Sequence, residues 1–103
     1  MIHMRTIEDI LIYNGVVDFR KSIDGLSQLV EQELKENPFG KTLFLFFSRN
    51  KRKIKILYWD GNGFCLWYKR LEQDKFKLPR DLSTRSVLIT FQQLEWLLGC
   101  YDF

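Results

Sequence analysis

The residues able to do chemistry in this chain of 103 residues form one dense group and a few scattered ones. The dense group is cationic and then aromatic. Arg49, Lys51, Arg52, Lys53 and Lys55 come first, Tyr58, Trp59, Phe64, Trp67 and Tyr68 follow, and Arg70 closes the series. Guanidinium and ammonium groups neutralise phosphates and an exposed ring stacks a base, so residues of these types in this order can bind nucleic acid. A two-stranded β-ribbon can also enter the major groove of a duplex. The same composition describes a plain surface hairpin with a solvated tip and an apolar body, and residue type alone leaves both readings open.

The scattered residues give catalysis little support. His3 is the only histidine and stands at a terminus, so a Ser-His-Asp, Cys-His or histidine-ligated metal site would depend on that one residue. Cys65 and Cys100 lie far apart with no CxxC pair, which argues against a structural disulfide or zinc site. The segment "GNGF" at 61–64 matches neither a P-loop nor a dinucleotide fingerprint and reads as turn chemistry. Asp18 and Asp60 have simpler roles, as a helix cap and a turn residue, than as paired carboxylates. The expectation is a protein that is not an enzyme, with no catalytic residue, metal, cofactor or small-molecule substrate.

Charge is distributed unevenly. The net value of +3 conceals an acidic N-terminal stretch, a basic middle from 41 to 85 and an acidic end, so the middle can draw in a polyanion. A second cationic pair, Arg20 and Lys21, is read in the first turn of a helix, where the backbone is already partially positive. An anion docked on the free N–H groups there would explain the pair, and so would neutralisation by Asp18 and Asp24. Asp24-Gly25 falls in the middle of the expected helix, where glycine costs about 1 kcal/mol relative to alanine; packing, or the close approach of a strand, partner or phosphate, would account for it.

These groups need elements to hold them. Residues 10–13, "ILIY", predict a strand that ends at Asn14-Gly15. Asp18 as N-cap followed by Phe19, Ile23, Leu26, Val30 and Leu34 predicts a helix over 19–36, ended by Asn37-Pro38. The run at 43–47 is apolar on both faces and predicts a central strand needing cover on both sides. A turn at 48–52 leads to a strand at 53–59, and Asp60 to Gly63, with Asn-Gly as a type I′ turn, leads back along 64–71. Alternation puts Lys53, Lys55, Leu57 and Trp59 on one face with Phe64, Leu66, Tyr68 and Arg70. The opposite face, with Ile54, Ile56, Tyr58, Cys65, Trp67, Lys69 and Leu71, is the one expected to meet the core. A last strand at 86–90 precedes a short helix opened by a Thr90/Gln93 capping box and stopped by Gly99.

The expected fold is therefore α+β: an antiparallel meander of about five strands, with a long N-terminal helix packed on one face and a short C-terminal helix. Its length suits a single domain over 1–103. The longest apolar run, Leu43 to Phe47, is far below the roughly 20 residues of a membrane span, and the first residues lack a signal-peptide core, so a cytoplasmic protein is expected.

Three stretches carry a family resemblance: "DFRKSIDGL" at 18–26, "NPFGKTLFLFFSRNKRKIKILYWDGNGFCLWYKRLE" at 37–72 and "QLEWLLGCYDF" at the end. Together they resemble the small TnpB accessory proteins of bacterial insertion sequences of the insertion sequence 66 type. In that family's pattern Asp-x-Arg-Lys-Gly-x-Asp-Gly-Leu, the residues Asp18, Arg20, Lys21, Asp24, Gly25 and Leu26 match, and Ser22 replaces a glycine. The resemblance implies an accessory role in transposition, beside a separate transposase and another element-encoded accessory protein, with no enzymatic activity of its own. It brings no binding residues with it. Charge and alternation supply two alternatives: contact with element DNA through Arg20, Lys21, Arg49, Lys51, Arg52, Lys53, Lys55 and Arg70, or an adaptor surface of Trp59, Phe64 and Tyr68 that docks on a protein partner.

Overall fold

Five apolar residues in succession cannot alternate between core and water, so they belong where both faces of a sheet are covered. Strand β2, Thr42–Phe47, meets this condition: each residue from Leu43 to Phe47 is at most 1% exposed. The computed structural model describes residues 6–79 and 84–100; His3, part of the 73–85 connection and the last three residues of the C-terminal motif lie outside them. Around β2 the chain builds β1 (Asp9–Tyr13), helix α1 (Ile23–Leu29) continuing into a π-helical turn (Val30–Leu34), β3 (Lys53–Trp59), β4 (Phe64–Arg70), β5 (Ser86–Ile89) and helix α2 (Phe91–Leu98). The strands form one sheet in the order β4-β3-β2-β1-β5.

The sheet is mixed, which corrects the expected antiparallel meander. β1 runs parallel to β2, from Asp9 opposite Thr42 to Ile12 opposite Leu45, and antiparallel to β5. The chain leaves β1, crosses one face as α1 and returns beside its starting strand, and such a crossover delivers the next strand in the same direction. The apolar pattern of a strand carries no sign of its direction. The β2-β3-β4 meander is antiparallel as expected, with Lys53 opposite Arg70, Lys55 opposite Tyr68, Leu57 opposite Leu66 and Trp59 opposite Phe64.

Two cores result. Leu26 and Val30 of the helical segment cover Phe44, Phe46 and Leu57 on one face, with Phe64 and Leu66 packed alongside. On the other face Leu94 and Leu97 of α2, together with Phe76, cover Leu45, Phe47, Ile54 and Ile56. The face of Lys53, Lys55, Leu57 and Trp59 thus has its own core under the helix, and on the face expected to meet the core Trp67 remains 37% exposed because β4 is an edge strand.

The N-terminal helix is shorter than its 19–36 periodicity predicted. Asp18 does not cap it. The Asp18 carboxylate accepts the Arg20 N–H at 2.9 Å and the Arg20 guanidinium at 2.7 Å, while the Asp18 carbonyl accepts the Lys21 N–H, which folds 18–21 into a turn. Ser22, in extended conformation, is the N-cap. Arg20 and Lys21 therefore precede the helix, and Asp24-Gly25 lies in its first turn rather than its middle. A Cβ on Gly25 would meet Lys21 Cβ and Cγ at 3.2 Å, so the close approach that the glycine permits is that of the turn before the helix.

At its other end the helix closes on Lys35, whose φ of 57° is left-handed, and the N–H groups of Lys35 and Glu36 both reach the Val30 carbonyl. The β3-β4 turn also differs from the type I′ expectation. Its one positive φ is at Gly61, where the Asn62 N–H bonds the Asp60 carbonyl at 2.9 Å and only glycine adopts the angle without strain. The Thr90/Gln93 capping box forms in both directions. Among the described residues no helix is long and apolar enough to cross a membrane.

A lysine in left-handed conformation at a helix end carries a cost of roughly 1 kcal/mol that glycine avoids. Lys35→Gly is expected to stabilise the protein by about 0.5–1 kcal/mol, read as a higher urea midpoint; a lower midpoint would show that the helix does not end there.

Candidate nucleic-acid interface

The basic turn between β2 and β3 is built by Ser48 and Asn50. The Ser48 N–H donates to the Lys53 carbonyl and the Lys51 N–H to the Ser48 carbonyl, both at 3.0 Å. Ser48 Oγ donates to Asn50 Oδ1 at 2.8 Å and accepts the Lys53 N–H at 3.1 Å, and Asn50 Oδ1 also accepts the Arg52 N–H. Lys51 turns the chain with a φ of 61°. Its carbonyl and that of Arg52 accept the Phe76 and Leu71 N–H groups at 2.8 Å, tying the turn to the segment that follows β4. A loop fixed on both sides presents its cations in set positions, so less order is lost when a ligand binds.

Facing this turn is the 18–21 turn, and Lys55 joins the two regions. Its Nζ donates to the Phe19 carbonyl at 2.8 Å and to the Lys21 carbonyl at 2.7 Å, and lies 5.0 Å from the centre of the Phe19 ring. Burial, and then the charge of Lys53, lower the pKa of this ammonium, with Asp18 acting the other way. The bridge fixes Phe19 beside the hairpin. Two adjoining shallow grooves follow, one lined by Val17, Phe19, Ser48, Arg49, Asn50 and Lys53, the other by Phe19, Lys53, Lys55 and Tyr68. Arg49, Lys53 and Lys55 line them together with the rings of Phe19 and Tyr68, the latter 49% exposed.

The residues singled out by sequence separate into distinct sets. Arg49 and Lys53 line the grooves, Lys51 and Arg52 stand in the adjoining turn, and the Lys55 ammonium is engaged by backbone carbonyls. Arg20 is paired with Asp18, whose carboxyl the guanidinium's hydrogen bonds hold well below the usual carboxylate range. Arg70 is paired with Glu72 at 2.9 Å. Lys21 lends its carbonyl to Lys55.

Tyr68, which belongs by residue type both to the nucleic-acid group and to the adaptor set with Trp59 and Phe64, stands opposite Lys55 at the cationic end. Trp59 and Phe64 lie at the other end of the hairpin, roughly 13 Å away along β3 at about 3.3 Å per residue. There they meet Phe39, with ring centres 5.0–5.2 Å apart in all three pairs, beside a cleft of about 310 Å3 reaching Ile7, Lys41 and Asp60.

Sequence reasoning missed Phe19 and Phe39 as surface groups. Phe19 was counted in a helical apolar face, and the only available signal was its place next to Arg20-Lys21. Phe39 follows Asn37-Pro38, read as a stop; the Asn37 side chain accepts the Phe39 N–H at 3.0 Å and turns the ring toward the hairpin.

The architecture is that of a small α+β protein: a mixed sheet with helical cover on both faces, a groove of cations and rings at one end, and no group of metal-ligating residues among those described. Residues 8–103 match the family model described as IS66 Orf2 like protein, and the chain belongs to that family, one of transposition-associated accessory proteins rather than known enzymes. It is 34% identical over 92 residues to Uncharacterized protein y4hO of Sinorhizobium fredii (strain NBRC 101917 / NGR234), covering 89% of this chain and 79% of the relative. Uncharacterized protein y4jC of the same strain is 36% identical over 70 residues, 68% of this chain and 60% of that relative's length. No solved structure matches the chain.

Because the Lys55 ammonium bridges two carbonyls, Lys55→Met is expected to lower stability by about 1–2 kcal/mol in urea denaturation, a value reduced for partial solvent access. A change within about 0.5 kcal/mol, as at an ordinary surface lysine, would contradict the bridge.

Proposed function

We propose that this protein is a non-catalytic, single-domain accessory component of insertion-sequence transposition that contacts element DNA through the groove of Arg49, Lys53, Phe19 and Tyr68. It acts in the cytoplasm beside a separate transposase, which performs the cutting and joining, and beside another element-encoded accessory protein. The observation that carries the DNA contact is the placement of two cations and two rings around the same fixed grooves. Cations supply salt-dependent affinity for phosphates, and an exposed ring adds a stacking surface that suits unpaired bases. Lys51 and Arg52 extend the positive field from the turn. Arg20 and Arg70 form the rim, where each would exchange a carboxylate for a phosphate and so contribute less.

A second reading rests on the other end of the hairpin. Phe39 is 53% exposed while touching both Trp59 and Phe64, and an aromatic cluster beside a cleft is the kind of anchor that protein interfaces use. In that reading the chain is an adaptor that docks on the transposase through Phe39, Trp59 and Phe64 without touching DNA.

Binding of labelled single strands and duplexes at several salt concentrations separates the two. Replacing Arg49 and Lys53 together by Ser should weaken binding and reduce the slope of log K against log salt by about 1.4–1.8, the value for two phosphates. Tyr68→Ala should weaken single-strand binding by about 1–3 kcal/mol with little change in slope. Unchanged affinity in both variants at low salt would rule out the groove. Loss of transposase pull-down in Trp59→Ala, with that result, would establish the adaptor reading.

A further inference from the structure

The β4 edge of the sheet has no partner among the described residues, and its hydrogen-bonding pattern can be read from the ends of the hairpin. The Leu71 N–H bonds the Arg52 carbonyl and the Asp60 N–H bonds the Gly63 carbonyl, each at 2.8 Å. In an antiparallel ladder bonded pairs alternate with unbonded ones. Odd-numbered residues of β4 therefore point their backbone groups at β3, and Phe64, Leu66, Tyr68 and Arg70 point theirs outward. A row of outward N–H and C=O groups is a template for another strand, and proteins usually guard it with a short strand, a bulge, a proline or a free charge.

β4 has none of these guards. It is seven residues long, pairs one-to-one with β3 throughout and contains no proline. Its charges are engaged, since Lys69 Nζ folds back to the Leu98 carbonyl at 3.2 Å and Arg70 is paired with Glu72. The opposite edge, β5, is only four residues long.

We propose that β4 pairs with β4 of a second copy, antiparallel about a two-fold axis at Trp67, so that two sheets join into one. The strand's own sequence selects this occupant and this register. Centring on Trp67 brings every outward residue into the ladder, with Phe64 opposite Arg70 of the other copy and Leu66 opposite Tyr68, giving about eight hydrogen bonds from four bonded pairs. No like charges face each other: Arg70 meets an aromatic ring, and Lys69 meets Cys65 in the unbonded row. Parallel pairing would instead set Arg70 against Arg70. Trp67 meets its own copy at an unbonded position, where side chains approach most closely and aromatic pairs stabilise a sheet. Rotation about the two-fold keeps the α1 faces on one side, so the basic end of each copy adjoins the Phe64 end of the other. Tyr68 and Arg70 border both this edge and the groove of the DNA contact proposed above, but the pairing is made by backbone groups and stands without that contact.

The test uses the full chain in sedimentation equilibrium over roughly 5–500 µM, a range suited to an interface below standard size. The intact chain should dimerise. Trp67→Lys and Trp67→Glu should each raise the dissociation constant at least tenfold, since like charges then face each other across the axis, and an equimolar mixture should restore dimers as mixed pairs. A monomeric intact chain, or a mixture no tighter than the single variants, overturns the proposal. If either variant fails to fold by circular dichroism, Trp67→Cys decides, because the unbonded pair spacing of about 4.5 Å permits a disulfide across the axis. A cross-linked dimer under mild oxidation, absent in the parent chain, supports the two-fold, and its absence overturns it.

Discussion

Burial of β2 on both faces dictates where the other elements go. Leu43 to Phe47 present apolar side chains to both faces of the sheet, and neither face tolerates water. One face takes Leu26 and Val30 from the helical crossover, the other takes Leu94 and Leu97 from α2 together with Phe76. The crossover sets β1 parallel beside β2, and β5 then joins β1 as the opposite edge. A mixed sheet is the direct result of covering one strand twice with a short chain.

The same arrangement decides where chemistry remains exposed. The helix that begins at Ile23 covers the Leu57–Leu66 middle of the hairpin and leaves both ends uncovered, one cationic and one aromatic. At the cationic end an ammonium is placed close to a second one, since Lys55 is partly desolvated near Lys53. Two backbone carbonyls and the face of the Phe19 ring offset that cost. Through this bridge the turn before the helix gains a fixed position, and Phe19 becomes part of a surface with Arg49, Lys53 and Tyr68 instead of part of the helix.

Much of this was legible in the residues. The alternation of 53–59 and 64–71 showed which residues share a face, the both-faced apolarity of 43–47 marked the centre of the sheet, and Thr90 with Gln93 marked the start of α2. What was not legible depended on contacts distant in sequence. Alternation is blind to strand direction, so the parallel pairing of β1 was hidden. Asp18 has the chemistry of a cap, but a guanidinium two residues on outcompetes the helix N–H groups for its carboxylate. Phe19 fits the helical period, yet a lysine from β3 holds it in a turn. The place of Tyr68 beside the basic array was legible from alternation, and its strand position opposite Lys55 agrees with it.

In the proposed DNA contact the cationic end of the hairpin, and not its aromatic end, meets nucleic acid. The most direct measurement is a backbone-amide NMR titration of the intact chain with a short DNA single strand at low salt. Saturable shifts are expected to cluster at 17–21, 48–55 and 66–70, with Phe39 and 59–63 little affected. Shifts confined to Phe39 and the Trp59 to Phe64 turn, or no shifts at all, would contradict it.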